Sequence, residues 1–99
     1  MSTQQQVKFD LGQTVATPGA LEALGRNNTG GLEYLQRHAT GDWGEVCEGD
    51  KEANSEALRT GARLLSMYFL PDETKLWIIT EAVDEMGKRQ ATTLLLPED

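Results

Sequence analysis

The apolar residues change their spacing near residue 62, and no other feature of the sequence constrains the fold as strongly. Before that point they recur three and four positions apart, as on one side of a helix, and after it they alternate in short runs, as along strands. Residues 63–70 and 75–81 are two such runs, separated by a Pro-Asp-Glu-Thr segment. Because proline fixes the first corner of a type I turn, these runs are predicted to form a hairpin. Residues 90–96 supply a further strand.

Three short helices are predicted upstream of the hairpin. Thr17-Pro18 is typical of a helix start, because the threonine hydroxyl accepts from the first turn and proline loses no hydrogen bond there. The predicted apolar stripe of this helix is Ala20, Leu21 and Leu24, and Gly25 or Asn27 ends it.

The second and third helices follow from the same kind of pattern. Residues 32–39 carry the second, with a stripe formed by Leu32, Leu35, Gln36 and Ala39. Asp50 is the predicted N-cap of the third, which spans residues 51–60, closes at Gly61 and presents a narrow apolar face formed by Ala53, Ala57 and Leu58.

An N-terminal strand completes the predicted architecture. Residues 7–11 alternate apolar and polar side chains up to Gly12, and residues 1–6 are a polar segment that we expect to be a disordered tail. The element order is then β-α-α-α-β-β-β. It predicts an α+β fold in which a four-stranded, mainly antiparallel sheet carries the helices on one face, with residues 7–99 as a single domain.

Composition excludes several classes of function. A chain of 99 residues fits one domain, and a single cysteine, Cys47, allows neither an internal disulfide nor a thiolate metal cluster. The net charge of −7 disfavours binding to nucleic acid or anionic membranes. The chain has neither a leader pattern nor a membrane-spanning run, so we expect a cytoplasmic protein, a monomer without cofactor or metal.

Residues 37–44 concentrate chemically useful side chains. His38 could act as a general base oriented by Asp42, with Trp43 as a stacking platform. Alternatively, His38 caps its helix, Asp42 accepts turn amides and Trp43 fills the core.

A second candidate lies on the strands. Side chains two apart share a face, so Ser66 and Tyr68 are predicted to line up with Thr80 and Thr92 as a polar stripe on the solvent face. The alternate set, Leu65, Met67 and Phe69, is then predicted to be buried.

Charged side chains suggest a pair and a surface. Arg63 and Glu81 could pair across the hairpin. An acidic run between residues 42 and 56 is an ordinary solvated surface, a docking site for a basic protein or a mimic of a phosphate backbone. Its six members are Asp42, Glu45, Glu48, Asp50, Glu52 and Glu56.

A combination of motifs is spread over nearly the whole chain. The segments are Leu11-Gly12-Gln13, residues 16–21, Arg37-His38, residues 41–44, Asn54, Ala57-Leu58, Gly61, Arg63, Ser66, Tyr68, residues 75–81 and residues 91–98. This combination resembles a family of small uncharacterised bacterial proteins of plasmids and prophages. The resemblance implies a shared fold and no known activity. The chain departs from it by a longer segment over residues 82–90 and by Glu73 where such proteins carry glycine.

Two functional hypotheses follow. The first is a non-enzymatic interaction protein of a mobile element that binds another protein through an acidic and aromatic surface, with His38, Asp42, Trp43, Ser66, Tyr68 and Glu81 as candidate binding residues. The second rests on a looser likeness to ribonuclease-like toxins. It is an RNA-cleaving enzyme centred on His38, with Arg63, Tyr68, Thr80 and Thr92 lining the cleft.

Overall fold

A computed structural model describes residues 6–99. It contains three helices and four strands, which in chain order are β1 (Gln13–Ala16), α1 (Pro18–Arg26), α2 (Leu32–Ala39), α3 (Glu48–Thr60), β2 (Leu64–Phe69), β3 (Lys75–Thr80) and β4 (Ala91–Leu95). The predicted α+β class and element order are confirmed. Residues 1–5 of the predicted tail lie outside the described range.

The four strands form one mixed sheet in the order β1-β4-β3-β2. The strands β2, β3 and β4 pair antiparallel as a meander, whereas β1 runs parallel to β4. The connection is long enough for a parallel pair, because the chain passes through three helices and the strands β2 and β3 between β1 and β4.

The first strand does not lie where the sequence predicted it. Residues 7–11 have no strand structure, and the pairing begins at Gln13 instead. Gly12, at φ +67°, lies so close to the backbone of Arg89 and Gln90 that a Cβ atom would approach the Arg89 carbonyl oxygen to 2.4 Å. This turn redirects the chain, so the side chain of Phe9 packs beside the rings of His38 and Trp43 instead of joining the sheet.

The start of α1 and the end of α3 are confirmed, but the predicted helix faces are partly wrong. The Thr17 hydroxyl accepts from the Ala20 amide, and Gly61 ends α3 in the left-handed region at φ 87°. Leu21 and Leu32 are exposed, at 59% and 65%, because α1 and α2 turn other residues to the sheet. Those residues are Ala20, Ala23 and Leu24 of α1 and Tyr34, His38 and Ala39 of α2.

Helix α3 begins earlier than predicted and packs at an edge. Its N-cap is Cys47 rather than Asp50, and its buried residues are Asn54 and Ala57, with Ala53 exposed. The Asn54 carboxamide donates to the carbonyl of Leu65 at 2.7 Å and accepts from its amide at 3.0 Å. A side chain thereby satisfies the backbone of Leu65 at the edge of β2, where unpaired groups would invite association, and the backbone of Met67 pairs with that of Trp43 and Glu45.

The hairpin turn is confirmed. The amide of Glu73 donates to the carbonyl of Leu70 at 2.7 Å, which places Pro71 and Asp72 at the two corners. Glu73 itself lies at φ 71°. That conformation suits glycine far better than glutamate.

The predicted faces of the sheet are wrong for Ser66, Tyr68 and Phe69, whereas Met67 is buried as predicted. Ser66 and Tyr68 were predicted to face solvent, but they are 0% and 1% exposed and lie under the helices. The inward rows continue with Leu76 and Ile78, which join α1 and α2 in the main core. Phe69, predicted to be buried, is 47% exposed on the opposite face.

Within residues 6–99, none of the helices is both long and apolar enough to cross a membrane.

Candidate functional site

The polar residues singled out on the strands do meet, although on the buried face. His38 projects from α2 onto the sheet, where its Nδ1 lies 2.5 Å from the Ser66 hydroxyl and its Nε2 lies 2.9 Å from the Thr80 hydroxyl. Thr80 in turn lies 2.7 Å from Thr92. All four side chains are 0% exposed. We call His38, Ser66, Thr80 and Thr92 the buried histidine cluster.

The hydrogen bonds of the buried histidine cluster fix the tautomer of its ring. The Thr92 hydroxyl donates to the Leu11 carbonyl at 2.6 Å, so it can only accept from Thr80. Thr80 has then given away its single proton and must accept from Nε2–H of His38. The ring is therefore the Nε2–H tautomer, and Nδ1 accepts from the Ser66 hydroxyl.

The surroundings keep this ring neutral. Burial and, to a smaller extent, the positive charge of Arg89 lower the pKa of His38 to about 4. Phe9 and Trp43 meet the ring edge-on, with centroids 5.1 and 5.7 Å away. A neutral imidazole with both nitrogens occupied and no exposed surface holds α2 on the sheet. It has no free nitrogen for a substrate.

Trp43 does not form the predicted stacking platform. Its side chain is only 8% exposed, and it belongs to a second core cluster with Val46, Ala57, Leu64 and Met67. Trp43 therefore fills the core, as the alternative interpretation predicted.

Asp42 does not orient His38. Its carboxylate pairs with the guanidinium of Arg37 at 2.7 Å, which lowers the pKa of Asp42. Its carbonyl accepts from the Tyr68 hydroxyl at 2.6 Å, and burial raises the pKa of Tyr68 to about 12. The Arg37 guanidinium lies 4.5 Å from the centre of the Tyr68 ring. These three residues tie the loop after α2 to β2.

Arg63 and Glu81 lie apart from the buried histidine cluster. Both are exposed, and the predicted ion pair between them is absent from the salt bridges of the described residues. A different arginine, which the residue patterns did not single out, organises this end of the sheet. Arg89 is 7% exposed and donates to the carbonyls of Ala57, Ala62 and Glu81. No periodicity marks it, because its partners are backbone oxygens.

A cleft beside α2 does not open onto the buried histidine cluster. It has a volume of about 1330 Å³ and lies between residues 7–14 and α2, with Leu32, Leu35 and Arg89 in its wall. His38, Ser66, Thr80 and Thr92 are not among its lining residues. Nor do residues 6–99 contain a group of three or more His, Cys, Asp or Glu side chains placed to hold a metal ion.

Half of the carboxylates in the acidic run are already paired. Asp42 pairs with Arg37, Glu48 lies 3.4 Å from Lys51, and Glu56 pairs with Arg59. The run is exposed or half-buried, as the solvated-surface interpretation expects.

The outer face of the sheet, opposite α1 and α2, is the most unusual surface. A row of side chains crosses all four strands in register: Leu65, Ile79, Thr93 and Val15. Beside it runs a second row, Met67, Trp77 and Leu95. We call these seven residues, together with Phe69, the outer apolar face.

The outer apolar face is only partly covered. Met67 is buried beside Val46, and Leu65 and Trp77 pack against the same second core cluster, whereas Val15 and Phe69 are 43% and 47% exposed. Ile79, Thr93 and Leu95 are half-buried, in contrast to the 0–4% exposure of their inward neighbours Ile78, Thr92 and Leu94. An open sheet face in water is normally polar at alternate positions, so this composition is typical of a face that another surface covers.

Comparisons of the chain with protein-family models, with curated proteins and with solved structures found no match.

Proposed function

We propose that this chain is a non-enzymatic protein-interaction module that binds its partner with the outer apolar face. The observation that carries the proposal is the row Leu65, Ile79, Thr93 and Val15, which crosses the whole sheet without a charged residue. Contiguous exposed apolar patches on a small protein are typical of interaction sites. Our resemblance-based prediction of an uncharacterised mobile-element protein is compatible with such a role.

The proposal moves the binding surface away from the one expected from the sequence. Trp43 is buried, and Asp42, Glu48 and Glu56 already have cationic partners. A basic partner at the acidic run would compete with those pairs. The outer apolar face has no such competition, and Trp77 and Phe69 supply the aromatic contacts that protein interfaces favour.

The RNA-cleaving alternative has less support. A general base must reach the proton that it removes, whereas His38 has no exposed surface and both of its nitrogens are hydrogen-bonded. RNA cleavage by the purified protein, lost in a folded His38→Gln variant, would favour the alternative over our proposal.

A substitution at the centre of the outer apolar face tests the proposal. Thr93 is half-buried on β4, so Thr93→Lys adds a charge in the middle of the row and removes little packing. Leu21→Lys is the matched control, because it introduces the same side chain at a position 59% exposed on α1. We expect immobilised wild type and Leu21→Lys to retain a protein from cells that make this chain, and Thr93→Lys to lose it. Equal capture by all three would contradict the proposal.

A further inference from the structure

We infer that the partner covering the outer apolar face is a second copy of this chain, packed sheet against sheet about a two-fold axis. This inference rests on the proposed function, because it names the partner of the same face. Three properties of the face carry it: its charge, its size and its shape.

The charge of the face favours a copy of itself. Only three charged residues extend its outward rows, Arg63 and Glu81 at one end and Lys75 at the other, which gives two cations and one anion. The chain as a whole carries −7. The excess negative charge therefore lies on other surfaces, and two copies can approach through this face without bringing it together. A strongly basic or acidic partner would find no complementary cluster here.

The size of the face suits a weak dimer. Four strands about 4.8 Å apart are about 19 Å wide, and strands of this length at about 3.3 Å per residue are about 17 Å long. The footprint is then roughly 300 Å² per copy, and interdigitating side chains bury more than the footprint. The two footprints total roughly 600 Å², below the roughly 1,000 Å² of specific interfaces, and part of each is already packed on the second core cluster, so we expect only weak association.

The shape of the face is that of half a β-sandwich. Two sheets pack about 10 Å apart when each presents a flat apolar row to the other. Ile79 and Thr93 lie at the centre of the row, on the two middle strands, and Val15 and Leu65 lie at its ends. In a two-fold dimer, each central residue of one chain lies near the same residue of the other chain. One substitution there therefore changes the interface at two places.

Sedimentation velocity of the full chain at concentrations from about 1 µM to about 200 µM tests this inference, because only self-association makes the mass depend on protein concentration. We expect wild type and Leu21→Lys to approach twice the mass of one chain, and Thr93→Lys to remain at the mass of one chain. Val15→Lys, at a 43% exposed position on β1, is a second variant in case Thr93→Lys fails to fold by circular dichroism. We expect it to weaken association about tenfold or more.

Two results would overturn the inference. Wild type that keeps the mass of one chain at every concentration excludes self-pairing. Dimers of folded Thr93→Lys and Val15→Lys as strong as those of wild type would place the contact elsewhere. In the first case the capture experiment still decides the proposed function: selective loss of a different protein by Thr93→Lys supports it, and unselective capture refutes both ideas.

Discussion

Because the buried ring of His38 is neutral, the free energy of unfolding depends on pH over a range that this residue sets. The pKa of His38 is lowered from 6.5 to about 4 in the folded chain. Between these two values the unfolded chain binds a proton that the folded chain does not. Stability therefore falls as the pH decreases from 6.5 toward 4, and above pH 6.5 this residue contributes no pH dependence.

The size of the effect follows from linkage. Each pH unit in this window changes the free energy of unfolding by about 1.4 kcal/mol, so acidification from about pH 6.5 to about pH 5 costs about 2 kcal/mol. The free energy of unfolding of a domain of this size is typically ~5–15 kcal/mol, so this loss is readily measured. His38 is the only histidine of the chain.

The acidic side chains do not obscure this window. The pKa values of Asp42, Asp84 and Asp99 are lowered, and that of Asp72 is lowered to about 2. A carboxyl group with a lowered pKa stabilises the folded chain above its unfolded value, near 4, and loses that contribution as the pH falls further. The contributions of these four carboxyl groups are therefore lost mainly below about pH 5.

Urea unfolding followed by tryptophan fluorescence, at one dilute protein concentration and at several values between about pH 5 and about pH 7.5, measures the effect. The control is His38→Gln, whose carboxamide offers a donor and an acceptor but binds no proton. We expect this variant to be less stable than wild type and to show no pH dependence in the window. The same slope in both proteins, or a flat profile for wild type, would refute a neutral buried histidine.

Two further predictions concern single residues. Glu73→Gly is expected to raise stability by roughly 0.5–1 kcal/mol, because Glu73 lies at φ 71°; an unchanged or lower midpoint of thermal unfolding would contradict this. Trp43→Ala is expected to cost about 3–5 kcal/mol, since Trp43 is 8% exposed. Trp77→Ala is expected to lower the free energy of unfolding by roughly half as much, since Trp77 is half-buried on the outer apolar face. Equal losses for the two variants in urea unfolding would show that the two indoles are equally enclosed.

The elements that the sequence predicted well depend on neighbours in the chain. Thr17 caps the amide three residues later, and Pro71 shapes a turn closed between Leu70 and Glu73. Gly61 ends its helix through its own backbone conformation. Such signals lie within a few residues, so one sequence suffices to read them. The displaced first strand shows the limit, because the turn at Gly12 is needed only where the chain passes the backbone at residues 89 and 90.

The sheet faces could not be assigned correctly from the strand pattern. In β2 the set Leu65, Met67 and Phe69 is more apolar than the set containing Ser66 and Tyr68, so hydrophobicity alone chose the wrong one. Burying Ser66 is acceptable only because a ring nitrogen of His38, twenty-eight positions away, lies within hydrogen-bond distance. A hydrogen bond between residues so far apart in the chain produces no periodic pattern in one sequence.

This reversal also explains why the outer apolar face is informative. The inward rows tolerate Ser66, Thr80 and Thr92 because His38 and the Leu11 carbonyl satisfy their hydroxyls. The main core forms on the helical side, and on the opposite face Leu65, Met67 and Trp77 pack with the second core cluster. Ile79, Thr93 and Leu95 belong to neither core cluster, so polar residues at these three positions would remove little core packing and would improve solubility. Apolar side chains that lie outside both core clusters, such as Ile79 and Leu95, are best explained by a surface that covers them. A single lysine at Thr93, between them on the same face, therefore discriminates between packing within one chain and association between chains.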